Sequence, residues 1–396
     1  MLIKSNEQLY SLLNQHIAKY VNRPQKYIGL EIEFFCLPKN SELNISELDK
    51  HIIQFLNKHN YSYSQEKTLY INVKDIGEIS YEPGGQLEFS SDKETDVNIL
   101  LKKTITFVRS LTEELQECGY TIFYMGCNPQ RKSVELLKKE KRYFAMREEF
   151  DRIGEYGRQM MLNTASLQVN VDFGDYREFG KNWRNLNILY PVFVSIFGNS
   201  SKFNNIDTGF NSYRQYIIEN MNSQRVYGLY RYNLKEDTQT NLRYYSLFLG
   251  NCNILSDKEI SCEEDYLKEL LHDVFPVVRI RNYFEVRYFD SQELYYICAP
   301  ILLTYIVNYD PEMKKWLDEH LDELIYLYNN HLLSAIKMGL AEIRLREFCN
   351  DFIDTAVKIL KKDYTGLIDD EYISRIEEFW QKRMQKYDGY KRIQGL

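Results

Sequence analysis

The chain has no run of about 18 consecutive apolar residues, so nothing in it reads as a membrane span. The stretch Tyr295–Val307 is apolar but shorter than that and predicts a buried helix. There is no CxxC pair, and the seven cysteines, at 36, 118, 127, 252, 262, 298 and 349, are odd in number. Met1–Glu7 lacks the apolar core of a signal peptide. Reduced thiols in the cytoplasm are therefore expected. No HExxH or paired histidine spacing offers a zinc site. Neither GxGxxG nor GxxxxGK[ST] occurs, which argues against a Rossmann or P-loop nucleotide site. Gly84-Gly85 alone marks a turn. Basic excess is also missing: the net charge is −7, which argues against nucleic acid as a partner. The one basic run, Arg131 to Lys141, reads as a solvated helix start beside a nucleotide site. His272 could touch substrate, but a surface or packing role is the simpler reading. Across 396 residues, 44% hydrophobic and 27% charged, no Pro/Gly/Ser-rich linker or charge block marks a boundary.

What is present is a repeated alternation. Gly29–Phe34, Gly85–Ser90, Thr164–Asp172 and Tyr283–Tyr288 place polar side chains on every second residue, with apolar ones between. Side chains of a strand alternate faces, so each stretch predicts a strand with one apolar and one polar face. The polar faces collect Glu, Gln, Asn and Asp with almost no Lys. A sheet lined this way repels itself unless a cation sits on it. Mg²⁺ is hard, takes oxygen ligands, and commonly shares a few carboxylates with substrate phosphates. Glu31 and Glu33 point to one side, roughly 6–7 Å apart. Gln86 and Glu88 repeat the arrangement. Glu82 precedes them at the Pro83-Gly84-Gly85 turn, which can fold its carboxylate toward the same region. Glu285 and Arg287 put an acid and a base on one face, a pair suited to metal and phosphate. The plain alternative is an amphipathic sheet whose acids meet water.

The same residues carry a family resemblance. Gly29-x-Glu31-x-Glu33 and then Glu82-Pro83-Gly84-Gly85-Gln86-Leu87-Glu88-Phe89-Ser90-Ser91 resemble the opening of the plant and actinobacterial glutamate–cysteine ligases. Lys141–Met146 is similar to that family's Arg-Tyr-x-x-Met segment, and Met160–Asp172 to its Met-x-x-Thr-x-x-x-Gln-Val strand. Phe197-Gly198-Asn199-Ser200 resembles its Phe-Ala-Asn-Ser turn. Ser212-Tyr213-Arg214 with Arg225 resembles its Ser-x-Arg…Arg stretch. Phe275–Arg279 and Tyr283–Asp290 resemble its last catalytic strand. The motifs run in order from about residue 27 to 310. Where the family usually has Trp, two Asp and Arg-Thr-Gly, this chain has Ile218, Asn220, Asn222 and Arg225-Val226-Tyr227-Gly228. The stretch 226–258 is rich in Tyr and Asn, unlike the family's usual insert. The amine acceptor need not be cysteine.

The resemblance implies an ATP- and Mg²⁺-dependent ligase (two or three ions) that phosphorylates the γ-carboxylate of glutamate and lets an amine displace the phosphate. Glu31, Glu33, Glu82, Glu88 and Glu285 are the implied metal ligands. Glu31, Glu33, Glu285 and Arg287 are the implied catalytic set. Gln168, Asn199, Arg214 and Arg225 are expected to bind substrate, and Arg142, Arg279 and Arg287 the nucleotide phosphates. Arginine matches carboxylate and phosphate in a bidentate way that lysine does not. Small-molecule substrates are expected, with the chain a monomer or homodimer. A different amine acceptor and a non-catalytic binding homologue remain as alternatives.

Periodicity predicts helices at 5–21, 95–118, 141–150, 178–197 and 262–273. It predicts strands at 27–36, 68–74, 77–82, 85–90, 120–126, 163–173 and 282–289. Residues 199–258 read as irregular, and the chain beyond 291 as nearly all helix, with breaks near Pro311 and Gly366. Strands first and helices last indicate an α+β fold. The resemblance implies an antiparallel half-barrel of about six strands, a glutamine-synthetase-like catalytic sheet with its site on the concave face. Helices surround it, and the whole of 1–396 forms a single catalytic domain with a helical C-terminal portion from about 291.

Overall fold

Alternating apolar and polar residues become eleven strands among the described residues of the computed structural model. It describes residues 5–394 except 24, 40–41, 68–69, 131, 134, 222–223, 227–231 and 256–259, with side chains also left out at 66–67 and 386–394. The strands are β1 (Ile28–Pro38), β2 (Tyr63–Lys67), β3 (Tyr70–Val73), β4 (Gly77–Tyr81), β5 (Leu87–Ser91), β6 (Tyr120–Phe123), β7 (Ser166–Val171), β8 (Lys202–Phe203), β9 (Ile206–Asp207), β10 (Val278–Ile280) and β11 (Phe284–Asp290). Nine of them form one sheet in the order β10-β11-β7-β1-β5-β4-β3-β2, with β6 also on β1; β8 and β9 make a separate hairpin. Every pairing in the large sheet is antiparallel. The expected α+β class holds, with nine strands where about six were implied.

The apolar face of the sheet is buried: Leu30, Ile32, Phe34, Phe89, Leu167, Val169, Val171 and Val286 are all within 1% of full burial. Helix Val97–Glu117 packs against β1 and β5, Tyr190–Phe197 against β11, and Cys298–Tyr309 against β7. Val97–Glu117 starts where the Asp96 carboxylate accepts from the Asn98 and Ile99 amides, the usual cap. It stops at Gly119, whose φ of +92° suits glycine. The apolar run at 295–307 is the buried core of helix Cys298–Tyr309.

Several elements differ from the sequence reading. Residues 178–197 form two helices, Phe179–Ile188 and Tyr190–Phe197, because Pro191 cannot donate to the preceding turn. The stretch 199–258 contains helices Tyr213–Glu219 and Thr238–Gly250, begun by the caps Ser212 and Asp237. The rest of that stretch lies partly outside the described residues, as do Asn222 and Tyr227-Gly228. Helix Ile45–Lys58 and β2 went unpredicted, although Asn44 caps the helix and Leu48, Ile52, Phe55 and Leu56 form its buried stripe. Among the described residues of the run 131–141 only the last, Lys141, is helical, and the helix begins there. Among the described residues no helix is long and apolar enough to cross a membrane. All seven cysteines are free thiols.

Candidate active site

Strand pairing lines up the polar residues in rows. One row runs Gln168–Glu31–Ser90–Glu78–Asn72–Ser64 across six strands. The next runs Glu33–Glu88–Ser80–Tyr70. Both floor a cavity of about 1000 Å³. The turn between β4 and β5 supplies Glu82. It closes through Glu82 N–H to Gln86 O and Gly85 N–H to Glu82 O, each 2.8 Å, with Gly85 at φ +86°. A side chain at Gly84 would meet the Leu162 carbonyl oxygen at 2.1 Å, so the turn presses directly onto the segment that precedes β7.

The acid floor is strained electrostatically. Burial, then the charges of Glu285 and Glu88, push the Glu31 carboxyl up to about 7. Burial and Glu88 push Glu82 up to about 8, against the pull of Lys138. Glu88 is raised by burial and by Glu33 facing it across the ladder. Hydrogen bonds orient these carboxylates. Glu33 accepts from the Ser166 amide and hydroxyl, both at 2.7 Å, and from the Gln168 amide at 3.0 Å. Glu31 accepts from Asn170 at 3.1 Å, and Glu88 from the Ser80 and Ser90 hydroxyls at 2.9 and 3.2 Å.

The rest of the cavity wall carries basic residues. Arg142, Arg214, Arg279, Arg281 and Arg287 all line it. Glu285 is fully buried behind them and is not part of the cavity wall. Its carboxylate accepts from Arg279 Nη2 at 2.8 Å and Arg287 Nη1 at 2.7 Å. Burial alone would raise its pKa, but Arg279 and Arg287 hold it well below the usual carboxylate range. Glu285, expected as a metal ligand, is here paired with arginines behind the wall, and losing either partner of such a buried pair costs about 3–5 kcal/mol. Arg287 also bonds Gln168, tying the basic wall to the floor.

Asn199 and Arg225, expected at substrate, do not line the cavity. The Asn199 amide donates to the Tyr124 and Ser291 carbonyls, and its backbone N–H to Asp290. Arg225 pairs with Glu149 and the carbonyls of Asp273 and Asn253. Both brace neighbouring segments. Arg214 does reach the cavity. Its backbone N–H donates to the Ser200 hydroxyl, Asp290 lies 3.8 Å from its guanidinium, and its Nη2 donates to the Arg287 carbonyl. Arg142 is anchored by Asp273 at 2.7 Å. Gln168 lies on the floor.

Other wall residues escaped sequence reasoning. Asn72, Glu78 and Ser80 come from β3 and β4, where alternation was visible but short. Tyr70 and Arg281 carry no pattern that sets them apart; Lys138 lies in the basic run and Tyr283 at the start of an alternating stretch, with nothing to single either out. His272 opens on the cavity, and burial with Arg142, Arg279 and Arg281 disfavours its protonation.

Among the described residues no group of three or more His, Cys, Asp or Glu side chains stands close enough to hold a metal alone. The donors are nevertheless all oxygen, and burial and mutual repulsion hold Glu31, Glu82 and Glu88 above their ordinary range. They suit a hard cation that takes a carboxylate or two here and fills its shell with phosphate and water.

An antiparallel sheet with helices on its apolar face and carboxylates and arginines on its polar face is the frame of this cavity. The crystal structure of glutamate–cysteine ligase from Francisella tularensis, in complex with AMP, shares this fold at a TM-score of 0.50 and 12% identity, covering 91% of this chain and 82% of that one. The chain belongs to the Glutamate-cysteine ligase family 2 (GCS2), whose model matches residues 27–369. It is 24% identical over 379 residues to the chloroplastic glutamate–cysteine ligase of Arabidopsis thaliana, covering 86% of this chain and 72% of that one. It is 28% identical over 239 residues to the glutamate–cysteine ligase EgtA of Mycobacterium tuberculosis, covering 54% of this chain and 55% of that one. The match thus spans about half to three-quarters of its relatives' length.

Proposed function

We propose that the chain joins the γ-carboxylate of glutamate to the amine of cysteine, consuming ATP and passing through γ-glutamyl phosphate. The observation that carries this reading is one cavity in which the Glu31, Glu33, Glu82 and Glu88 floor meets the Arg214, Arg279 and Arg287 wall. Phosphoryl transfer requires little covalent chemistry from a protein; it requires two anions held together and the developing charge neutralised. The glutamate carboxylate oxygen attacks the γ-phosphorus and ADP leaves. The acceptor amine then attacks the acyl carbon, the amide forms, and phosphate and a proton are released. Glu31, Glu33, Glu82 and Glu88 would hold Mg²⁺, which supplies charge neutralisation on the phosphates. Glu285 acts through Arg279 and Arg287, fixing them for phosphate. Arg214 binds a substrate carboxylate, with Gln168 beside it. Arg142 adds positive charge where the nucleotide tail lies. Asn199 and Arg225 act indirectly, through the segments they brace.

A second reading keeps the chemistry and changes the amine. Met146, Met160, Ile218, Val226 and Phe275 give the cavity an apolar wall near Arg214 and Arg287. That wall and the departure at Ile218, which lines it, leave room for an acceptor other than cysteine. Discrimination between small side chains in such a wall is worth only about 1–3 kcal/mol. The whole chain is taken as one catalytic domain, monomeric or homodimeric and cytoplasmic, acting on small molecules. Free cysteines and the acidic net charge agree with this. The test is ADP release with glutamate fixed and cysteine, 2-aminobutyrate, serine, alanine and simple amines varied. Release that depends on glutamate and an amine supports ligation, and the best amine chooses between the two readings. AMP and pyrophosphate as products, or no ADP with any amine, would sink both.

A further inference from the structure

The basic run 131–141 does not face solvent throughout. Lys138 is 2% exposed and lines the cavity near its acidic floor. Its segment is pinned there. The Leu137 N–H donates to the Pro83 carbonyl at 2.8 Å, and Leu136 is buried with Met146, Phe150 and Met161. The ammonium donates to the Tyr70 hydroxyl at 3.0 Å and the Tyr143 hydroxyl at 3.2 Å. It also stands 4.8 and 5.1 Å from the centres of the same rings. Tyr70 comes from β3, and Tyr143 from the first turn of the helix beginning at Lys141. Two elements therefore fix one cation.

A lysine buried merely to neutralise Glu82 would be bonded to it. Here the contacts are phenols, and Glu82 and Glu78 act only at a distance. An ammonium has three N–H donors, and the phenols account for two. The position lies beside the floor proposed for the metal, and Arg142, 5.4 Å from the Tyr143 ring, adds a second cation there, so a polyphosphate would meet positive charge from both. Lysine meets phosphate as a point charge.

We propose that Lys138, held by Tyr70 and Tyr143, is a binding residue for the nucleotide polyphosphate. The proposal rests on the ligase reading. Nucleotide affinity is to be measured by calorimetry with Mg-ATP, Mg-ADP and adenosine on the full chain, alongside the KM for ATP and for glutamate. Lys138→Met should weaken ATP and ADP by at least ~10-fold, about 1.4 kcal/mol, and leave adenosine and the glutamate KM within about threefold. Lys138→Arg should recover part of the loss, and Tyr70→Phe with Tyr143→Phe should reproduce part of it. That double variant keeps the test open if Lys138→Met does not fold. A wild-type chain that binds ATP, with variants that bind it equally well, overturns the Lys138 role and leaves the ligase reading standing. Equal losses for ATP and adenosine, or a loss confined to glutamate, also overturn it. A wild-type chain that binds no ATP removes both.

Discussion

Glu31 and Glu82 bind their protons more tightly in the folded chain than an exposed glutamate does, about 7 and about 8 against an ordinary 4.5. The sign of the consequence follows from linkage. Above pH 4.5 the unfolded chain has begun to release protons that the folded chain still holds. The contribution of these two groups to stability is largest below that point, falls as pH rises, and reaches its floor above about 8. A cation that binds the ionised pair offsets that loss. The melting temperature of the free protein should therefore gain more from millimolar Mg²⁺ at pH 8.5 than at pH 5.5. Glu31→Gln should shrink the gain at pH 8.5. An equal Mg²⁺ effect at both values, unchanged in Glu31→Gln, would rule out the floor as the cation's site.

At the scale of elements, the turn between β4 and β5 decides where Glu82, Gln86 and Glu88 stand. Gln86 is held by its amide on the Thr164 carbonyl at 2.7 Å, which locks β5 to the start of β7. Gly84 permits the approach, because a methyl group there would sit 2.1 Å from a backbone oxygen that has little room to yield. Gly84→Ala should cost about 1–3 kcal/mol, in the range of other overpacked sites, and lower turnover more than the stability loss explains. Urea unfolding and steady-state rates on the same sample check this. Unchanged values for both would show that the turn and β7 are not pressed together. The helix Tyr213–Glu219 works similarly: its cap, Ser212, also donates to Asp290 at 3.1 Å, so the residue that starts the helix also helps set Arg214.

At the scale of the molecule, the helical C-terminal part backs the catalytic sheet. Helix Ile343–Asp363 packs on Tyr190–Phe197, which packs on β11. Phe379, from the last helix, stacks on Phe197 at 5.3 Å. Tyr372, Ile373, Ile376, Phe379 and Trp380 are all at least nine-tenths buried. At about 1.5–3 kcal/mol for each buried side chain, their loss is comparable to the whole stability of a domain, about 5–15 kcal/mol. A chain ended at Asp363 should lose its cooperative unfolding transition and its ADP release together. If it melted like the full chain and kept its activity, the last helix would be an appendage and the single-domain proposal would fail.

The sequence by itself determined which residues share a face. Period-two alternation put Glu31 with Glu33 and apolar residues behind them, and that is a property of the backbone alone. It also carried the order of family motifs, hence the class of fold. Tertiary structure decided which polar groups meet. Glu285 alternates in the same way as Glu31, yet strand order places it between Arg279 and Arg287, where charge pairing takes it from the cavity wall. Arg225 and Asn199 look like substrate contacts in sequence, but chain packing turns them toward carbonyls. Lys138 sits in a run that reads as solvated, and a loop crossing over Pro83 buries it. Local spacing sets direction over a few residues; the contacts of Ser166 with Glu33 and of Gln168 with Arg287 join residues more than a hundred positions apart, which no local pattern encodes.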